Sequence, residues 1–191
     1  MSPQTRKNWI DTGLEILGAE GVSAITIDRM TDALGVTKGA FYHHFKNIQQ
    51  FKLRLLEAWT GDSVEIIRTI EQNESPEKVL FGLIDEFEKR SPLPEIAIRA
   101  WAVSDPLPRE HMERLDAVRV AFLTDVFTRI FKSRPKAETA ARMLYCIITD
   151  SLAVHPPLEM TWLKKIFREL FRLHGIGIPG RSSPAKKGDR P

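Results

Sequence analysis

Thr26-Ile27-Asp28-Arg29-Met30-Thr31-Asp32-Ala33-Leu34-Gly35-Val36-Thr37-Lys38-Gly39-Ala40-Phe41-Tyr42-His43-His44-Phe45-Lys46 is the stretch that decides the fold. Its spacing predicts two short helices joined by Gly35-Val36-Thr37. Thr26 is a good N-cap, and Asp28 in the following turn suits the positive end of a helix dipole. Met30, Ala33 and Leu34 make an inward face, and Gly35 supplies the left-handed backbone that a sharp helix-to-helix turn needs. Val36 plugs the gap between the helices, and Thr37 caps a third helix that runs to about residue 45. Phe41 and Phe45 are four apart and share one face, where they pack against Met30, Leu34 and Leu14. Lys38, Tyr42 and Lys46 then line up on the other face, with Gly39 and His43 beside them.

That outward stripe combines two cations, a phenol and an imidazole. Lys and Tyr suit phosphate oxygens, and Lys and His reach acceptors on base edges. Gly39 permits close approach of the helix backbone to a duplex. The helix starts at Thr26 and Thr37 offer N–H groups to phosphate. On spacing alone, a three-helix structural bundle with a solvated polar face explains the same pattern.

Working outward, a first helix spans residues 5–19, with Trp9, Ile10, Leu14, Ile16 and Leu17 at helical spacing. Gly21 follows it as a stop. A long helix is predicted over 48–72 and another over 76–89, the second with Ser75 as cap and Pro76 in first position. Ser91-Pro92-Leu93-Pro94 and Asp105-Pro106-Leu107-Pro108 read as breaks around a helix over 95–104. Further helices are predicted over 109–132, 135–154 and 158–174, with His155-Pro156-Pro157 between the last two and Gly175 as the final stop. The fold class is therefore all-α: an N-terminal three-helix helix-turn-helix domain (1–50), joined by a long helix to a C-terminal helical domain (51–175). Residues 176–191 are rich in Gly, Pro, Ser and Lys and read as a basic, disordered tail.

Hydrophobic residues make up 42% and charged residues 28% of the 191, which are ordinary values for a globular chain. The net charge of +3 is misleading as a sign of nucleic-acid binding. The tail holds four basic residues against one acid, and the first 46 residues hold five of each sign. Any argument for DNA must come from where individual charges point. The N-terminus carries no secretory signal, and no stretch approaches the ~18 apolar residues of a membrane span, so a cytoplasmic protein is expected. The single cysteine, Cys146, lies in an apolar run and reads as a small buried hydrophobe. It cannot supply a multi-cysteine metal site.

Enzyme readings find little support. His43, His44, His111, His155 and His174 form no spaced metal-binding pair, and no nucleophile elbow or phosphate-cradling glycine loop is present. No metal, cofactor or catalytic residue is expected.

Residues 7–58 resemble the DNA-binding domain of the TetR (tetracycline repressor) family. The resemblance rests on Gly13-Leu14, Gly21-Val22, Thr26-Ile27, Ala33-Leu34-Gly35-Val36 and above all Lys38-Gly39-Ala40-Phe41-Tyr42-His43-His44-Phe45. It implies an all-α homodimeric regulator, usually a repressor, released from a double-stranded DNA operator by a small molecule bound in the C-terminal domain. It assigns DNA contacts to Thr26, Thr37, Lys38, Gly39, Tyr42, His43 and Lys46, with Tyr42 on phosphate. One departure stands out. Ile48 occupies a position where family members often carry a phosphate-binding Lys, and Gln49 or Lys52 are the available substitutes. Arg6 and Lys7 are weaker candidates for backbone or minor-groove contacts.

The C-terminal domain carries no motif of comparable strength, although residues 97–106 are similar to a stretch in several such regulators. Trp59, Phe81, Phe87, Trp101, His111, Met112, Leu115 and Phe122 are candidate effector-pocket residues, with ordinary core as the alternative reading of each. Two apolar stripes, Ala137/Ala141/Leu144/Ile148/Leu152 and Leu163/Ile166/Phe167/Leu170/Phe171, are candidate dimer faces, or else pack inside one subunit. The rival to the regulator reading is a helical protein-interaction module that has lost DNA binding, motivated by the balanced charge and by Ile48.

Overall fold

The computed structural model describes residues 5–71, 74–151, 159–173 and 175–176. Among these, all regular structure is helical: α1 (Arg6–Glu20), a 3-10 turn (Val22–Ala24), α2 (Ile27–Leu34), α3 (Lys38–His44), α4 (Ile48–Glu71), α5 (Pro76–Glu88), α6 (Leu93–Ser104), α7 (Pro106–Phe131), α8 (Arg134–Asp150) and α9 (Met160–Leu173). No described helix is long and apolar enough to cross a membrane. Leu152, the His155-Pro156-Pro157 connection, His174 and the tail from 177 lie outside the described residues.

The chain forms two compact units, residues 1–69 with 89–122 and residues 70–88 with 123–191. In the first unit α1 to α3 close around large aromatics. Trp9, Phe41 and Phe51 are fully buried, and Phe45 nearly so. Trp9 meets Phe41 and Phe45 edge-on, with centroids 5.5 and 6.3 Å apart, and Phe45 meets Phe51 at 5.0 Å. Such edge-to-face geometry is favoured by the ring quadrupoles. The Trp9 indole N–H finds no hydrogen-bond partner among the described residues, so these rings and not a polar contact hold it.

Two glycines set the backbone. At Gly35, φ is +63°, and the N–H groups of Gly35 and Val36 close back on the carbonyls of Asp32 and Thr31 at 3.2 and 3.0 Å. This ends α2 and delivers Val36 to the core it was expected to plug. At Gly13 the constraint is space. A Cβ there would lie 2.6 Å from both Leu55 Cδ1 and Phe51 Cζ, so the missing side chain lets α1 and α4 approach.

The first unit also contains α6, which packs on α1 where a Cβ on Gly18 would lie 2.9 Å from Leu93 Cβ. The sequence breaks at 91–94 and 105–108 are shorter than expected. Pro94, Pro106 and Pro108 sit within the first turns of α6 and α7, where a missing N–H costs no intrahelical bond. Asp105 makes that corner, accepting from Leu107 N at 2.9 Å and from Trp101 Nε1 at 2.8 Å. A half-buried charge cluster ties the helices together. Glu95 of α6 accepts from Arg119 of α7 at 2.7 Å and from Arg99 at 2.8 Å, Arg99 also reaches Asp116 at 3.0 Å, and the Arg119 guanidinium lies over the Trp59 ring of α4.

In the second unit α8 buries Ala137, Ala140, Ala141 and Leu144, and α9 buries Leu163, Phe167 and Phe171. Phe81 of α5 meets Phe171 edge-on at 5.3 Å. The α9 end repeats the α2 device: Gly175 has φ +69°, and Ile176 N donates to Phe171 O at 2.8 Å. Of the two stripes proposed as dimer faces, Ala137, Ala141, Leu144, Leu163, Phe167 and Phe171 are buried within one chain, while Ile148, Ile166 and Leu170 are half-covered. Cys146 is exposed, contrary to expectation, because the buried arc of α8 is centred on Ala137, Ala141 and Leu144.

Candidate nucleic-acid interface

The short helix α3 is seven residues long, and only Phe41 within it is buried. Phe41 and Phe45 anchor it to α1 and α4, and everything else on the helix is left facing out or half-covered. Lys38, Gly39, Tyr42, His43 and Lys46 are all exposed, Tyr42 to 56% although it is a large aromatic. For α3 the sequence expectation of one inward and one outward face corresponds to the arrangement found, whereas on α2 Ala33, expected inward, is exposed. Thr26 and Thr37 are also exposed and precede α2 and α3. Their chemistry differs. The Thr26 hydroxyl accepts from Arg29 N at 3.2 Å, whereas the Thr37 side chain makes no capping bond, contrary to its expected role. The Thr37 hydroxyl and the amides at the very start of α3, before Ala40, whose N–H donates to Thr37 O, thus remain available to an outside acceptor.

The protein leaves room at Gly39. A Cβ there would meet nothing closer than Thr37 Oγ1 at 3.5 Å. The fold itself does not demand glycine at this position.

The balanced charge of this region has a structural form. Lys7 pairs with Asp11 at 2.6 Å, Arg29 with Glu20 at 2.6 Å and Lys38 with Asp28 at 2.5 Å. Arg6 donates to the carbonyl of His44 at 3.3 Å and lies over the Phe45 ring, so it closes the C-terminal end of α3 instead of extending from it. Hydrogen bonding and charge from Asp28 raise the Lys38 pKa, and similar contacts from Asp11 and Glu20 raise those of Lys7 and Arg29. All three cations stay fully charged at neutral pH.

The start of α4 is built by Asn47 and Gln50. Gln50 N donates to Asn47 Oδ1 at 2.8 Å, and Lys46 N donates to Gln50 Oε1 at 2.6 Å. Ile48 packs against the core, which is why that position is apolar. Of its two possible substitutes, Lys52 places its ammonium 5.7 Å over the Trp101 ring, while Gln49 is exposed in the first turn.

The candidate effector residues divide between the units. Trp59, Trp101, His111, Met112 and Phe122 are buried in the first, and Phe87 lies half-buried on α5 in the second. Trp59, Trp101 and Met112 belong to one continuous core with Leu115. His111 Nδ1 lies 3.5 Å from Thr60 Oγ1. A shallow apolar dent in the second unit, without room for a water molecule, is lined by Phe127, Ala140, Met143, Leu170, Phe171 and Ile176, none of them a candidate. Among the described residues no group of three His, Cys, Asp or Glu side chains is placed to hold a metal.

Residues 10–55 match the family model described as bacterial regulatory proteins, tetR family. The transcriptional regulator AcuR of Cereibacter sphaeroides is 44% identical over 53 residues, 28% of this chain and 24% of AcuR. The chain thus aligns with about a quarter of that relative's length. The HTH-type regulator BetI 1 of Chromohalobacter salexigens is 28% identical over 156 residues, covering 78% of this chain and 77% of BetI 1. A TetR transcriptional regulator from Legionella pneumophila superposes with a TM-score of 0.76 over 91% of this chain and 99% of its own, at 10% identity. That likeness concerns the fold.

Proposed function

We propose, from the match of residues 10–55 to the tetR family model, that the chain is a DNA-binding transcriptional regulator of that family and a repressor that leaves its operator when a small-molecule effector binds. In this reading α3 enters the major groove. Lys38, Gly39 and His43 face base edges, and Thr26, Thr37, Tyr42 and Lys46 face phosphates. The observation that carries it is the division of α3: Phe41 is fully buried while Tyr42 beside it is 56% exposed with the two lysines. A large aromatic kept in water by the fold needs a use, and a phenol sharing an exposed face with two lysines suits a phosphodiester. Gly39 fits as a residue kept bare for the duplex and not for the protein.

The regulator would act as a cytoplasmic homodimer through α8 and α9, because paired recognition helices read half-sites about 34 Å apart. The inner stripes are used within the subunit, so the pairing surface would be the outer faces. These keep Met143, Trp162 and Leu173 exposed and Ile147 and Ile166 half-covered. An effector would bind among the core residues of α4, α6 and α7, such as Trp59, Trp101 and His111, and lower operator affinity by favouring a state with different helix spacing.

The test is an electrophoretic shift with the regulator's own promoter fragment. Tyr42→Ala and Lys38→Ala should each abolish the shift while circular dichroism shows unchanged helicity. Wild-type affinity in both variants would remove α3 from the groove. The interaction-module alternative predicts no salt-dependent binding to any duplex.

A further inference from the structure

We propose that Asp28 is a specificity-determining residue, forming with Lys38 a side-by-side acceptor and donor that reads one G·C base pair and disfavours DNA lacking it. The inference rests on the reading that α3 enters the major groove. Asp28 stands in the first turn of α2 and Lys38 in the first turn of α3, ten residues apart in sequence. The turn at Gly35 brings Asp28 Oδ1 to 2.5 Å from Lys38 Nζ, with the two side chains 70% and 63% exposed. A carboxylate is thereby placed on the surface that must meet a polyanion.

Two bland accounts fall short. An acid in the first turn of a helix is favoured by the dipole, but that holds for any first-turn position and does not require pairing with Lys38. An exposed ion pair contributes little to stability, so the fold gains almost nothing from holding the two together. The other ion pairs of α1 to α3, Lys7–Asp11 and Arg29–Glu20, use none of the residues on the outward stripe. Lys38–Asp28 alone among the described pairs there engages a proposed base-reading residue.

The consequence is a conditional cost. On random DNA, Lys38 moves towards phosphate and leaves the Asp28 side chain against the backbone charge without its partner. A G·C pair removes the cost. Guanine presents the O6 and N7 acceptors to the ammonium, and its cytosine presents the N4 amino donor to the carboxylate across the same groove edge. A reversed C·G pair sets like against like. An A·T pair in the matching orientation turns the thymine methyl towards the carboxylate. Asp32, exposed one helical turn beyond Asp28, adds to the field that raises the Lys38 pKa, so Lys38 arrives at the groove charged.

The experiment starts by selecting duplexes from a random pool with the full-length wild type. Fluorescence anisotropy then compares wild type, Asp28→Asn, Asp28→Ala and Tyr42→Ala on the selected duplex, on its single base-pair replacements and on a random duplex of equal length, each at two salt concentrations. For the wild type, replacing one particular G·C pair should weaken binding about tenfold or more. Both Asp28 variants should lose a large part of that ratio, Asp28→Ala more than Asp28→Asn, whose amide oxygen still accepts from cytosine N4. They should also bind the random duplex about tenfold more tightly than the wild type does, because one repulsive charge is gone. The proposal is overturned if the Asp28 variants keep the wild-type ratio at every position. Tyr42→Ala separates the two levels: if it weakens binding to all duplexes while Asp28→Ala keeps full discrimination, only the role of Asp28 is lost. If the wild type binds no duplex with salt dependence, the groove reading fails and this inference fails with it.

Discussion

Helix α3 has seven residues and buries one, while α8 has seventeen and buries four, three of them alanines. The two helices come from different units and teach different things about legibility. In α3 one large anchor, with Phe45 just past its end, fixes the rotation of the helix, so every other side chain has a defined outward position. In α8 the buried stripe is small and uniform, and the helix keeps apolar side chains outside as well, Met143 among them. A short helix with one strong anchor announces its exposed chemistry. A long helix with a weak stripe does not say which apolar face belongs to its own chain and which to a partner.

Removing an anchor from each region gives the largest expected effects. Phe41→Ala and Phe171→Ala should each cost about 3–5 kcal/mol, since both rings are essentially fully buried. The difference should appear in amide hydrogen exchange. Phe41→Ala should strip protection from α1 to α3 first, and Phe171→Ala from α5, α8 and α9, following the two compact units. Equal loss of protection in α1 to α3 from both variants would mean that the two regions unfold as one, and would remove the contrast between them.

A smaller pair of substitutions should differ in sign. Gly13→Ala drives a Cβ to 2.6 Å from Phe51 and Leu55, both buried with nowhere to retreat, and should destabilise by about 1–3 kcal/mol. Gly82→Ala in α5 meets nothing nearer than Ile70 Cγ2 at 3.8 Å and should stabilise by about 0.5–1 kcal/mol through helix propensity. Urea denaturation of the two variants checks both. Opposite signs would confirm that the first unit is packed to close tolerance where the second is not; equal signs would show that helix propensity alone decides.

These residues also show where the sequence was readable. Period and turn chemistry between 26 and 46 placed Phe41 and Phe45 inward and Lys38 and Tyr42 outward, because short-range rules govern a helix-turn-helix. The same rules found Gly13 only as part of a resemblance, since its reason is the approach of Phe51 and Leu55 from α4. The partners of the cations were equally hidden. Lys38 meets Asp28 across the turn, and Lys52 meets Trp101 across 49 residues, so both depend on helix crossing and not on period. Thr37 looked like a cap but withholds its side chain, and Cys146 looked buried because an apolar neighbourhood in sequence is not one in space. Prolines at 94, 106 and 108 read as breaks in the sequence because their tolerance in a first turn depends on where the preceding helix stops.

The smallest expected effect concerns pH, and again only the first unit should show it. His111 is 9% exposed, and burial, aided by the charge of Arg114, pushes its pKa below the usual 6.5 against the opposing pull of Glu57 and Glu110. The folded chain therefore keeps this imidazole neutral at pH values where the unfolded chain has taken up a proton. Stability should be level above pH 6.5 and fall as pH drops below it, towards the folded pKa, with a slope no steeper than the one-proton limit of about 1.4 kcal/mol per pH unit. Glu95 behaves differently. Burial alone would raise its pKa, but hydrogen bonding and charge from Arg119 and Arg99 outweigh that and hold it below 4.5. Its contribution is intact above 4.5 and is lost only as pH falls through the folded value, so between pH 6.5 and 4.5 His111 is the one of the two that gives a slope. Thermal melts from pH 7.5 to 5.0 on wild type and His111→Gln should differ in slope below pH 6.5, with the variant flatter. A wild-type slope surviving in His111→Gln would place the titrating group elsewhere, and would end the claim that the first unit's α4–α7 packing is sealed around a neutral histidine.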